Sequence, residues 1–242
     1  MKDLYEDFNS KYCYKNTNIL INKLDIRDYK ELSKYEAKIT AAKSLGLRLK
    51  GITGNFDKKH YLSIHNYLFE DIYPFAGKLR EENISKGEFR FASFEYVEPE
   101  LERILEQLKK ENFLEGTSKK QLAERLAYYL SELNVLHPFR EGNGRSTRIW
   151  LDMILKNRIG KVIDWSKIDK EEYLLAMERS PIKDTEITIL LKDALTDKIS
   201  DREIYMKGID TSYKYEGYNT YSMDELDKWF SFIVLLPSLN VL

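Results

Sequence analysis

The chain has 242 residues, 39 basic against 40 acidic side chains, a net charge of -1, and one cysteine, Cys13. That balance gives no electrostatic case for a dedicated binder of nucleic acid or of a membrane surface. A single cysteine excludes an internal disulfide and a cysteine metal cluster. The charged start MKDLYEDFNS does not read as a secretory signal, and no run reaches the length of a membrane span, so the expected location is the cytoplasm.

Helical periodicity dominates the chain order. Apolar residues recur at three- and four-residue steps in 26–48, 57–72 and 97–112. Between the last two, Asn83 to Phe91 carries β-prone residues on both sides of Gly87, which predicts a short hairpin over 82–92. Next, Ser118 and Gln121 form a capping box ahead of Leu122, Leu126, Tyr129, Leu130, Leu133 and Leu136, so a buried helix is expected from Ser118 to Leu136. Further helices are expected in 145–156, 168–179 and 184–196. Near the end, Ser222 and Glu225 suggest one more capped helix, and the apolar stretch Trp229 to Leu242 a packed or partner-docking tail. There is no long linker and no internal repeat.

Between the helix ending at Leu136 and the next apolar-periodic segment lies His137-Pro138-Phe139-Arg140-Glu141-Gly142-Asn143-Gly144-Arg145-Ser146-Thr147-Arg148. Gly142, Asn143 and Gly144 allow a sharp turn that points successive N–H groups into one concavity. The helix starting there adds unpaired N–H groups and a positive dipole end, an arrangement suited to phosphate. Arg145 and Arg148, three apart, can both fork onto phosphate oxygens. Glu141 supplies one hard carboxylate, which together with substrate phosphates is the usual way to hold Mg²⁺. His137 at the loop's edge can take a proton near neutral pH. Singly, each of these residues has an ordinary structural reading as a turn, a cap or a surface pair. All seven fixed types together occur by chance at about one start in 10⁹.

The stretch matches, at every specified position, the signature His-x-Phe-x-(Asp/Glu)-Gly-Asn-Gly-Arg-x-x-Arg, and so resembles the Fic family. Tyr73 to Arg80 followed by Asn83 to Gly87 is similar to the region that precedes and forms that family's flap hairpin. The resemblance implies an all-α fold, a helical core with one β-hairpin flap, over 1–200 and best matched over 55–200. It implies an enzyme that transfers AMP from ATP to a Ser, Thr or Tyr hydroxyl of a target protein docked on the flap as an extended segment. His137 would be the catalytic base and Glu141 the Mg²⁺ ligand. The Gly142–Gly144 backbone, Asn143, Arg145 and Arg148 would hold phosphates, and Phe139 would anchor the loop in the core. Lys86, Gly87 and Tyr173 are candidate nucleoside contacts.

A second motif, Ser212-Tyr213-Lys214-Tyr215-Glu216-Gly217, resembles the family's inhibitory helix, (Ser/Thr)-x-x-x-Glu-(Gly/Asn), and occurs once. It places an inhibitory helix at 212–217 within a C-terminal extension over 201–242. By resemblance, Glu216 pairs with Arg148 at the γ-phosphate position. Tyr213 and Tyr215 are candidate self-modification sites or simple packing residues. Removal of AMP, another nucleotide donor, a non-catalytic nucleotide-binding module and a homo-oligomer stay open. A metal hydrolase is disfavoured, because His60 and His65 are five apart and read as surface or packing residues.

Overall fold

The computed structural model describes residues 10–87 and 89–218. The suggested Ser222–Glu225 cap and the Trp229–Leu242 tail lie outside the described residues. Among the described residues there are eight α-helices: α1 Tyr29–Lys50, α2 Lys58–Phe69, α3 Val97–Lys110, α4 Lys119–Leu136, α5 Asn143–Arg158, α6 Lys170–Arg179, α7 Thr185–Ala194 and α8 Arg202–Tyr215.

Local chemistry sets their ends. Asp28, Asp57, Asp169 and Asp201 each accept first-turn N–H groups, starting α1, α2, α6 and α8 where the side chain satisfies orphan donors. The Ser118–Gln121 capping box forms as the sequence predicts. The pattern in 184–196 runs past its helix. Leu195–Thr196 leaves it as a strand, β4, and pairs antiparallel with β3, Val162–Ile163. The Asp164 N–H to Ala194 carbonyl bond, 2.9 Å, extends that ribbon and takes a carbonyl at the end of α7.

Helix α5 is the hub. Nearly every residue from Asn143 to Leu155 is buried, the charged Arg145, Arg148 and Asp152 included, so the helix is enclosed on all sides. Helices α1, α2 and α4 pack on it, α3 and α7 pack on α4, and α8 lies against α1 and α6. The main core joins α2, α3, α4 and α5 through residues such as Tyr61, Leu101, Leu133 and Trp150. A smaller cluster seats α8: Ala37, Ala41 and Leu45 of α1 meet Tyr205, Met206, Ile209 and Tyr213. Small residues on α1 let α8 approach closely, which brings its C-terminal end to the N-terminal end of α5.

The flap hairpin is present and shorter than 82–92. Its paired strands are β1, Ser85–Lys86, and β2, Phe89–Arg90, with Ser85 opposite Arg90 and Lys86 opposite Phe89. Gly87 takes φ +57 at the turn. Among the described residues no helix is long and apolar enough to cross a membrane.

Candidate active site

The loop from His137 to Gly142 joins α4 to α5, and the side chains of His137, Phe139 and Glu141 are each held by identifiable contacts. His137 caps α4 in the left-handed region, φ +47, while its N–H donates to the Leu133 carbonyl at 3.0 Å. A non-glycine residue in that region marks a constrained position. Its ring Nδ1 lies 3.0 Å from the Asn134 carbonyl. A carbonyl only accepts, so Nδ1 carries the hydrogen and Nε2 is the basic nitrogen. The Phe91 ring of the flap's outgoing arm lies on the imidazole, 3.7 Å between centroids and 22° from parallel. Burial pushes the imidazole's pKa from 6.5 down to about 3. The bond to Asn134 opposes that shift, and the charges of Arg80 and Lys86 add to it. His137 is therefore neutral at pH 7, the form that accepts a proton.

Phe139 is buried and stacks on His65, 3.8 Å between centroids, and on Tyr61. His65 also accepts the Gly77 N–H at Nδ1, 2.9 Å, and donates from Nε2 to the Glu141 carbonyl, 3.0 Å. It therefore packs the loop, and so does not sit on the surface; His60 is buried too. Asn143 departs from expectation. Its side chain turns back into the loop, accepting the Phe139 N–H at 2.7 Å and donating to the Phe139 carbonyl at 2.8 Å. The short amide satisfies both backbone groups of the turn, so in this conformation it braces the loop and does not face a phosphate.

Gly142 is required twice over. Its φ is +77, and a Cβ there would lie 2.2 Å from the Phe69 ring. At Gly144 a Cβ would lie 2.8 Å from Arg148 Nη1 and 3.1 Å from Glu216 Oε1, so the missing side chain leaves room for those charged ends. Glu141 is half-buried; its carboxylate accepts the Gly142 N–H at 3.0 Å and pairs with Arg145 at 3.1 Å.

Both arginines are almost fully enclosed. Arg145 Nη2 lies 2.8 Å from Glu36, and Nη1 donates to Thr40 at 3.2 Å. Its Nε lies 2.7 Å from Glu216 Oε2, close enough for an ion pair though the N–H is not aimed at that oxygen. Arg148 donates to Glu216 Oε1 at 2.8 Å and to Ser212 Oγ at 2.7 Å and 3.1 Å, inside an aromatic box of Trp165, Tyr173 and Tyr215. Burial opposes the charge on each guanidinium, but for Arg145 the fields of Glu216, Tyr218 and Glu36 outweigh it. Glu36 also accepts the hydroxyls of Tyr73 and Tyr218.

Glu216 thus bridges both arginines, where the sequence motif pointed to Arg148 alone. The segment that resembles the family's inhibitory helix is the end of a longer helix that starts at Arg202, not a helix of its own over 212–217. Gly217, φ +77, donates to the Lys214 carbonyl, and Tyr218 donates to Tyr213, both at 3.1 Å. This is a Schellman ending, and it fixes the direction in which Glu216 leaves the helix.

Tyr173 differs from expectation, and for Tyr213 and Tyr215 the packing alternative is the one seen. Tyr173 is buried; its ring stacks on Tyr215 at 4.2 Å and Arg148 Nη1 donates to its hydroxyl at 3.3 Å, so it supports the arginine and offers no open nucleoside face. The hydroxyls of Tyr213 and Tyr215 point inward, to Thr40 and to the Trp165 and Ile168 carbonyls. Self-modification at either does not fit this conformation; both pack the helix. Lys86 and Gly87 sit exposed at the flap tip as the sequence implied. Glu36, Thr40 and His65 were not singled out as site residues. Their partners lie 109, 105 and 76 residues away, and no local pattern carries such pairings.

The sequence profile described as "Fic/DOC family" matches residues 55–155. Protein adenylyltransferase VbhT of Bartonella schoenbuchensis is 33% identical over 229 residues, 89% of this chain and 47% of the relative, so this chain spans about half of that protein's length. Probable protein adenylyltransferase Fic of Escherichia coli is 33% identical over 184 residues, 76% of this chain and 90% of the relative. Among solved structures, BepC of Bartonella tribocorum with bound AMPPNP superposes with a TM-score of 0.68 at 26% identity, covering 76% of this chain and 96% of that one. The loop between α4 and α5 falls inside the matched residues, and the match to the Escherichia coli protein takes in nine-tenths of that relative, so this chain belongs to the Fic/DOC family.

Proposed function

We propose that this protein is an adenylyltransferase that moves AMP from ATP to a Ser, Thr or Tyr hydroxyl of a target protein, and that Glu216 holds it inactive. One observation carries the reading. At the start of α5, between Arg145 and Arg148 and against Gly144, an anion is already seated: the Glu216 carboxylate. A site that holds a carboxylate with two guanidiniums at the start of a helix is suited to phosphate oxygens.

In the proposed reaction the acceptor hydroxyl reaches His137 Nε2, which takes its proton. The hydroxyl oxygen bonds to the α-phosphorus, the bond from that phosphorus to the β-bridging oxygen breaks, and pyrophosphate leaves. Phe91 covers the imidazole and has to yield to the acceptor. The acceptor segment adds as a strand to the flap edge, which fixes the hydroxyl in line. With Glu216 seated, two guanidiniums face three carboxylates, Glu36, Glu141 and Glu216, and no cationic charge is left over for the γ-phosphate. Once Glu216 withdraws, Arg148 meets that phosphate. Arg145 stays partly committed to Glu36.

Magnesium fits this donor set. Glu141 presents a half-buried carboxylate beside the loop's N–H groups, and one carboxylate with phosphate oxygens is how Mg²⁺ is usually held. When bound, the ion supplies charge neutralisation of the phosphates. In this reading residues 1–200 form the transferring core and 201–242 the regulatory extension, working in a bacterial cytoplasm. A second copy of the chain is a candidate for regulating α8, and self-modification of Tyr213 or Tyr215 requires α8 to leave its seat.

The test is position-specific labelling. Glu216→Gly protein with Mg²⁺ is expected to take label from α-labelled ATP and none from γ-labelled ATP, and adding His137→Ala removes the α-label. Incorporation of γ-label, or α-label that survives loss of His137, overturns the assignment.

A further inference from the structure

We infer that Arg80 is a positioning residue for this reaction: it locks the flap that receives the acceptor segment in register with His137. The inference rests on the adenylyltransferase reading. Arg80 is 2% exposed, yet it lies in an irregular stretch ahead of the flap and belongs to no helix or strand. Its guanidinium spends its donors on backbone carbonyls from three places. Nη1 donates to Glu82 at 2.7 Å, on the arm entering the flap. Nη2 donates to Ala92, on the arm leaving it, and to Leu136 at 3.1 Å. Nε donates to the His137 carbonyl at 2.7 Å, and the Arg80 backbone N–H donates to the Pro138 carbonyl at 2.9 Å.

One side chain thus ties both arms of the hairpin to the C-terminal end of α4 and to the base itself. The chemistry suits the place. The last carbonyls of a helix lack intrahelical donors and carry the negative end of its dipole, so a buried cation there is stabilised. A planar fork reaches carbonyls in three directions at fixed angles, which an ammonium on a flexible stem does not do. The entering arm is gripped from its other side as well. The Glu82 carboxylate accepts from Ser10 Oγ and from the Lys11 N–H, each at 2.7 Å. The Ala92 N–H donates to the Val135 carbonyl at 3.0 Å. The paired strands are only two residues each, too short to hold a shape alone. The flap's position relative to His137 therefore comes from the contacts at its foot, and Arg80 is the side chain that reaches both arms and the end of α4 together.

The test uses the full chain in the Glu216→Gly background, comparing Arg80→Lys with its parent. AMP transfer is read as self-labelling from α-labelled ATP, and ATP affinity by calorimetry with Mg²⁺. Arg80→Lys is expected to lower the transfer rate by about 10²-fold, the cost of misplacing reacting groups by roughly an ångström. ATP affinity should stay at the parent's value, and amide exchange in the flap should rise. Transfer at the parent's rate overturns the inference. So does loss of ATP affinity in step with transfer, because Arg80 would then serve the fold as a whole. Arg80→Gln repeats the test should the lysine variant be insoluble, and unfolding of both variants also overturns it. A Glu216→Gly parent that transfers nothing refutes the adenylyltransferase reading instead.

Discussion

The two ends of the site, a half-buried imidazole and two fully buried guanidiniums, are kept in opposite charge states. At the base end, His137 lies under Phe91 and is neutral, because removal from water penalises the imidazolium and only a carbonyl faces Nδ1. At the arginine end, Arg145 and Arg148 stay charged, because carboxylates and hydroxyls surround them. At the first end removal from water outweighs the one hydrogen bond that favours the cation; at the second the partners outweigh removal from water. On the proposed function, the group that would accept a proton faces a neutral carbonyl, and the groups that would hold phosphate are paired with a substitute anion, Glu216. In the proposed function the base is poised by desolvation, and the phosphate site is occupied by pairing.

Four perturbations probe that contrast. The largest effect is at the base end. In the Glu216→Gly background, His137→Ala should lower AMP transfer by about 10²–10⁴-fold, the usual worth of a general base. Calorimetry should find ATP binding retained, since no phosphate contact is lost. Parallel loss of binding would mean the two ends are not separable.

At the arginine end, Glu216→Gly leaves two enclosed guanidiniums short of a partner. Breaking a buried pair from one side costs roughly 3–5 kcal/mol. In urea the variant should be less stable than wild type without nucleotide. Saturating ATP should recover about 2.7 kcal/mol at a hundredfold excess over Kd. If ATP returns no more to the variant than to wild type, Glu216 and the phosphates do not share the site.

Between the two ends sits the loop. Gly142→Ala puts a Cβ into the Phe69 ring at φ +77, which should cost about 2–5 kcal/mol from the left-handed backbone and overpacking together. Urea melts should separate this from Gly160→Ala, also at positive φ but with open space around it.

The smallest effect is a pH slope. His65, like His137, is pushed by burial from 6.5 to about 3 in the folded protein. Between those two values the unfolded chain binds a proton that the folded one excludes. Stability contributed by the neutral histidine is therefore full above pH 6.5 and is lost as pH falls towards 3. The loss is about 1.4 kcal/mol per pH unit for each such histidine. Urea midpoints at pH 7 and pH 5 should differ less in His65→Asn than in wild type; an unchanged difference would show that His65 titrates normally.

Much of this site was readable before the fold. The run from His137 to Arg148 is contiguous, so turn, helix start and charged face follow from local rules, and both the Ser118–Gln121 box and the flap turn at Gly87 formed as their chemistry demands. The seating of Glu216 was readable only as a motif. Its second partner, Arg145, depends on how closely α8 lies on the small face of α1. Three groups were not legible. Glu36 was not singled out, His65 was read only as a surface or packing residue, and Arg80 only as the end of the stretch before the flap. Each acquires its role from carbonyls or guanidiniums far along the chain. Asn143 shows the converse. Its place in the motif suggested phosphate, while its short amide was the group able to close both hydrogen bonds of Phe139. Tyr173 was read as nucleoside-facing and the aromatic box around Arg148 claims it instead, while for Tyr213 and Tyr215, read as self-modification sites or packing residues, the structure shows packing.

One measurement addresses the shared site most directly: intact mass over time for wild type and Glu216→Gly, side by side in ATP and Mg²⁺. Competition between Glu216 and phosphate for Arg145 and Arg148 predicts a wild-type mass that stays constant while the variant gains one AMP. Equal gain in both proteins, or gain in neither, contradicts it.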